Sequence, residues 1–148
     1  MSSQALEFVL DQLGGNIDIE IDAIRKLEQL ETPLSSILLN HYRIAKKWQV
    51  RSSCVFYSIA YARDEEDAVK LGIEALLDKS KVVRYRACML LACSLNKNAL
   101  EALRQLELSA KDIETIENAK AAIDAIENQN TNWFVDRNHS RKVFLTYQ

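Results

Sequence analysis

The sequence predicts an all-α chain of about four helical hairpins, closed at its C-terminal end by a β-hairpin or an extended tail. Three observations carry this. The 148 residues hold only three glycines and one proline beside 48% hydrophobic residues, too little turn chemistry for an all-β chain. Apolar residues recur at three- and four-residue spacing through most of residues 3–128, the period of a half-buried helix. Short polar stretches carrying capping residues separate those segments. A chain of this length reads as one domain, 1–148, able to bury roughly two thirds of its unfolded surface.

Each element has a local justification. Residues 3–13 set Ala5, Leu6, Val9, Leu10 and Leu13 on one face, and Gly14-Gly15 ends the helix because glycine accepts a left-handed cap. Asn16 or Asp18 caps a second helix carrying Ile17, Ile21, Ile24, Leu27 and Leu30 and ending near Glu31. Thr32 as N-cap and Pro33 at the first helical position start a third, with Leu34, Ile37, Leu38, Tyr42 and Ala45. The fourth, 50–62, is apolar or small on nearly every side after Arg51, which marks a central helix or one with a face kept for a partner. Asp64 is placed to cap a fifth, and the following acids complement its positive N-terminus; it ends at Asp78. The turn Asp78-Lys79-Ser80-Lys81 opens a sixth, 82–95. Asn98 with Glu101, and Ser109 with Asp112, form reciprocal caps for a seventh helix, 99–108, and an eighth through Ile113, Ile116, Ala119, Ile123 and Ile126.

In residues 132–148 the period changes. Trp133, Val135 and Arg137 alternate with Phe134 and Asp136, Asn138-His139-Ser140 offers a turn, and Val143, Leu145 and Tyr147 alternate with Phe144 and Thr146. Alternation on both sides of a turn predicts a hairpin.

The formal net charge of −2 lacks the surplus of Lys and Arg that general nucleic-acid or anionic-membrane binding needs. The charges are nonetheless in blocks. Residues 1–31 carry seven acids and two bases, 32–62 four bases and no acid, and 87–128 seven acids and four bases, a segregation suited to steering a partner. Cys54, Cys88 and Cys93 lie in apolar helical surroundings and read as core thiols of a reducing, cytoplasmic compartment. The N-terminus has no basic region and carries Glu7 and Asp11, and no apolar run reaches membrane-spanning length, so neither a signal peptide nor a membrane span is expected. His41 and His139 are far apart, Cys88 and Cys93 lack the two-residue spacing of a zinc or redox pair, and no Gly-rich phosphate loop or nucleophile elbow occurs. The expectation is a protein without catalytic, cofactor or metal sites.

One internal match organises the rest. Val50-Arg51 followed by Cys54 matches Val83-Arg84 followed by Ala87 at an offset of 83 − 50 = 33 residues, the size of a solenoid unit. Leu76-Leu77-Asp78 with Val83-Arg84-x-x-Ala87-x-x-x-Leu91-Ala92 resembles the HEAT repeat, well over residues 65–95 and fairly over 34–62, although the Val50 unit lacks the turn Asp. The resemblance implies a right-handed α-solenoid with inner helices 50–62, 82–95 and 112–128. It implies core positions Val50, Cys54, Val83, Ala87 and Leu91, and Asp78, Arg51 and Arg84 as capping and bridging residues.

The other side of those inner helices gathers Arg51, Ser52, Phe56, Tyr85, Arg86 and Met89, a mixture enriched in interface cores. The terminal hairpin either caps the core or walls the groove with Trp133, Arg137, His139 and Arg141. A short solenoid with segregated charge also resembles, in size and architecture, the small helical immunity proteins of bacteria. That resemblance implies an inhibitor whose acidic flanks meet a cationic toxin, such as a nuclease, and cover its active site. The rival readings are a general scaffold or adaptor holding a peptide or protein, and a nucleic-acid binder using Arg43, Lys46, Lys47, Arg51, Arg84 and Arg86.

Overall fold

The structure, a computed structural model, describes residues 1–146. Capping chemistry sets where its helices begin. The Ser2 hydroxyl accepts from Ala5 N at 3.1 Å and starts α1, Ser3–Leu10. Asn16 accepts from Asp18 N and Ile19 N and starts α2, Ile17–Glu28. Between them Gly14 has φ +84°, and a Cβ there would lie 2.8 Å from Val50 N. Both the left-handed backbone and the close approach of a later helix require glycine.

Pro33, not Thr32, occupies the N-cap position of α3, Leu34–Ile44. α4, Trp48–Ser58, continues into a 3₁₀ turn at Ile59–Tyr61. α5, Glu66–Ala75, starts after Glu65 rather than Asp64. The Glu65 carboxylate reaches back to accept from Ser35 N at 3.2 Å and Ser35 Oγ at 2.5 Å, tying α5 to the first turn of α3. α6, Lys81–Ser94, is capped by Ser80 and ends on Leu95 in the left-handed region at φ +53°. Asn96, two residues before the expected Asn98, caps a 3₁₀ turn that leads into α7, Leu100–Ser109. Asp112 alone caps α8, Ile113–Glu127, accepting from Thr115 N at 3.0 Å.

Consecutive helices pair: α1 with α2, α3 with α4, α5 with α6, α7 with α8. Across pairs α3 packs on α5, α4 on α6, and α6 on α8. One hydrophobic cluster runs from Val9 to Phe134. α6 is its axis, with Ala87 to Ser94 buried on every side. Gly72 permits the close α5–α6 crossing, since a Cβ there would meet Leu90 Cδ2 at 2.8 Å. Val83, Ala87 and Leu91 are fully buried, as is Cys54, while Val50 is only half-buried.

Two junctions between successive pairs are built from the same bonds. Arg51 of α4 donates Nε and Nη2 to Asp78 at 2.8 and 3.1 Å and Nη1 to the carbonyls of Ala45 and Lys46. Arg84 of α6 donates Nη2 to Asp112 at 3.2 Å and Nη1 to the carbonyls of Asp78 and Lys79. In each, an arginine at the helix start closes its own preceding turn and reaches the turn of the next pair. Asp78 also accepts from Tyr42 Oη and Ser80 N.

Of the two forms expected for the tail, a β-hairpin or an extended segment, the hairpin is not seen: among the described residues there is no strand. Thr131–Phe134 is instead a 3₁₀ turn whose Phe134 is fully buried. The returning chain is held by side chains in place of a backbone ladder. Asn132 donates to Val143 O and accepts from Leu145 N, while the buried Asp136 carboxylate accepts from Ser140 N, Ser140 Oγ and Arg141 N. Burial opposes ionisation of Asp136, but these bonds outweigh it and keep its carboxyl below the usual range. His139, in the expected turn, and Arg141, just after it, both have positive φ. Tyr147, placed on the second expected strand, lies outside the described residues.

Candidate partner-binding face

The layer of α4, α6 and α8 carries most of the residues singled out for binding, and two adjacent positions of α6 face opposite neighbours. Tyr85 leans towards α8 and the tail, its ring 5.7 Å from that of Phe134. Together with Lys81, Val82, Ile113, Glu114, Glu117, Asn118 and Arg137 it lines an open pocket of about 490 Å³. Arg86 leans towards α4. Its Nη1 donates to Ser52 O at 3.2 Å, and its guanidinium carbon lies 4.7 Å from the centre of the Phe56 ring, an attractive cation–π geometry. Phe56 in turn meets Tyr57 edge-on.

Other predicted contacts are buried or committed within the fold. Met89 is only 7% exposed and belongs to the core, because α6 is enclosed by α4, α5 and α8 at that level. Ser52 is buried as well, and its hydroxyl lacks a hydrogen-bond partner. Arg51 is committed to Asp78 and two carbonyls, so it holds the fold together rather than facing a ligand.

In the tail, Trp133 stacks on His139 at 4.2 Å, and His139 Nε2 lies 2.5 Å from Asp124 Oδ2 of α8. Arg137 donates to Phe134 O and Asn118 Oδ1 and covers the Phe134 ring. It forms one wall of the 490 Å³ pocket. Trp133 and Arg141 border a separate shallow pocket with Phe144 and Leu145.

Two residues of the face escaped the sequence reading. Val82 is 39% exposed and Ile113 67% exposed; both sit in the first turn of their helices and line the same pocket. A three- or four-residue period places Ile113 in the apolar run of its helix and Val82 off the core face, without saying whether either stays uncovered. The available signal is position: a first-turn apolar residue projects beyond the neighbouring helix unless a following element covers it.

Elsewhere the charges are distributed unevenly. On α1, α2 and their flanking turns Glu7, Asp11, Asp18, Asp22, Glu28 and Glu31 are exposed, with a single ion pair, Asp22–Arg25, among the described residues. Glu7 and Asp11 also face a groove of about 960 Å³, with Ile19, His41, Lys46 and Lys47. Burial lowers the His41 pKa, and Asp11 and Glu7 partly restore it. Of the cations a nucleic-acid site would use, Arg43 is paired with Glu74, Arg51 with Asp78 and Arg84 with Asp112.

Burial pushes the thiols of Cys54 and Cys88 up to about 12 and that of Cys93 to about 11, so each is a neutral thiol at pH 7. Among the described residues no group of three or more His, Cys, Asp or Glu is placed to hold a metal, and no helix is long and apolar enough to cross a membrane. No protein-family model matches the chain, and no curated protein matches it.

Proposed function

We propose that this chain is a protein-binding module without catalysis of its own, a HEAT-like right-handed α-solenoid of four helical hairpins whose α4–α6–α8 layer holds one protein partner. Its concrete form, in this reading, is an inhibitor of the immunity type that covers the active site of a cationic toxin domain such as a nuclease. One observation carries the binding reading. Val82, Tyr85 and Ile113 leave apolar surface open on successive helices of one layer, beside the fixed cation Arg137, while Arg86 is fixed towards α4 on the other side of α6. Exposed aromatic and aliphatic groups beside arginine are the composition of an interface centre. The matched Arg51–Asp78 and Arg84–Asp112 junctions support a stacked-unit architecture, and the unpaired acids of α1 and α2 support a basic partner, whose capture they would accelerate.

The test is isolation of the tagged chain from its native host beside Val82→Glu and Ile113→Glu, both at exposed positions and expected to melt like the parent. A stoichiometric basic protein recovered by the parent and lost from both variants is the expected result. Recovery of nucleic acid with steep salt dependence, or equal recovery by all three chains, would overturn the reading.

A further inference from the structure

Arg86 is held in a way that leaves it incomplete. Its only hydrogen bond among the described residues is from Nη1 to Ser52 O, and no carboxylate lies within ion-pair distance. Among the described residues the one fully buried side-chain polar atom without a partner is Ser52 Oγ, so Nε and Nη2 of Arg86, which also have none, are not fully buried. One face of the guanidinium is covered by Phe56, and half-burial works against its charge. The group is therefore fixed in direction, partly dehydrated, and open along an edge with two parallel N–H donors. That edge matches the two oxygens of a carboxylate.

The surrounding charges narrow the choice of ligand. From α2, Glu20 is buried and its oxygens are occupied by Gly14 N, Ser53 Oγ and Tyr57 Oη. From α4 comes Tyr57, whose phenol burial and Glu20 push up to about 12, so that it is neutral at pH 7, and from α6 comes the phenol of Tyr85. Arg86 is thus one cation with one carboxylate nearby but turned away. A second negative charge is tolerated there, while a dianion such as phosphate lacks the further cations it ordinarily collects.

We infer that the edge of Arg86, backed by Phe56, is a carboxylate-binding subsite that receives an acidic side chain of the partner. The inference rests on the binding reading proposed above and adds the chemistry of one contact. It predicts an acidic residue inside an otherwise basic partner surface, placed opposite the α4–α6 cleft. Such a contact fixes register, because a carboxylate anywhere else on the interface leaves the half-buried guanidinium unpaired.

The test needs no partner. The Arg86 side-chain Nε–H resonance, assigned by its loss in Arg86→Lys, is followed while N-acetylglutamate, N-acetylglutamine or inorganic phosphate is added to the intact chain. N-acetylglutamate is expected to produce a saturable shift in the millimolar range, N-acetylglutamine none, and phosphate only a weaker one. Glu20→Gln, which removes the nearby charge, is expected to tighten N-acetylglutamate binding by roughly fivefold. A shift no larger than those of exposed Arg25 and Arg141, an equal response to N-acetylglutamine, or tighter binding of phosphate would overturn the subsite. Partner binding that survives Arg86→Lys unchanged would also overturn it while leaving the module reading intact. Saturable carboxylate binding without any protein partner in the host would retain the subsite and overturn that reading.

Discussion

Replacing Asp78 with Asn keeps the size of the side chain and removes the charge on which one inter-pair junction turns. The carboxylate accepts from Arg51 Nε at 2.8 Å, Arg51 Nη2 at 3.1 Å, Tyr42 Oη at 2.8 Å and Ser80 N at 2.9 Å. Its side chain is 3% exposed and that of Arg51 16% exposed. An amide supplies one acceptor oxygen and turns an NH₂ towards a donor, so at least one bond to Arg51 is lost and the guanidinium stays buried without its counter-charge. Breaking a buried pair in this way costs about 3–5 kcal/mol, a large share of the ~5–15 kcal/mol that holds a domain together. At roughly 3 °C per kcal/mol for a chain of this size, the melting midpoint falls by about 10 °C.

The pH dependence gives an independent check. Burial opposes the charge of Asp78, but the bonds from Arg51, Ser80 and Tyr42 together outweigh it and depress the carboxyl pKa. A depressed carboxyl contributes stability that is complete above its unfolded value, about 3.9, and is lost as pH falls through the folded value. The gap between parent and Asp78→Asn in urea unfolding is therefore widest at neutral pH and closes on acidification. A gap under about 1 kcal/mol at pH 7, or one that stays constant down to pH 3, would refute the assignment. Asp112→Asn, at the more exposed matching junction, is expected to cost less.

Phe134→Ala removes a fully buried ring from beneath the tail and is expected to destabilise by about 3–5 kcal/mol, with a change in Trp133 emission as the stacked Trp133–His139 pair loosens; a loss under about 1 kcal/mol would place the ring outside the core. Iodoacetamide is expected to label Cys93, which borders a small surface pocket with Arg63 and Thr131, before Cys54 and Cys88, whose thiols react only through unfolding. Rapid native labelling of all three would contradict their burial.

How much of this was legible in the sequence differs by element. The helices were, because three- and four-residue periodicity and residues such as Asn16, Ser80 and Asp112 act locally. Caps that depend on distant partners were not: Glu65 bonds Ser35, thirty residues away, and nothing in the local spacing announces it. The capping and bridging roles that the HEAT resemblance implies for Arg51, Asp78 and Arg84 agree with the bonds they make, although Arg51 is also expected on the partner face, and the spacing marks Asp112 only as a cap without its bond to Arg84. For the tail, alternation leaves a hairpin and an extended segment both open because it describes side-chain order without specifying backbone pairing, and here Asn132 and Asp136 hold the returning chain with side-chain bonds. On the candidate face, Tyr85 and Arg86 follow from helical phase and residue type, and Arg137 from the tail expected to wall the groove. Met89 could not be excluded that way, since its burial comes from the neighbouring helices.

The most direct test of the central claim is amide hydrogen exchange on the chain alone and with its isolated partner. New protection is expected at the starts of α4, α6 and α8, near residues 48–56, 81–86 and 113–118, with α3, α5 and α7 unchanged. Protection confined to α3, α5 and α7, or none on adding a partner that co-migrates with the chain, would contradict it.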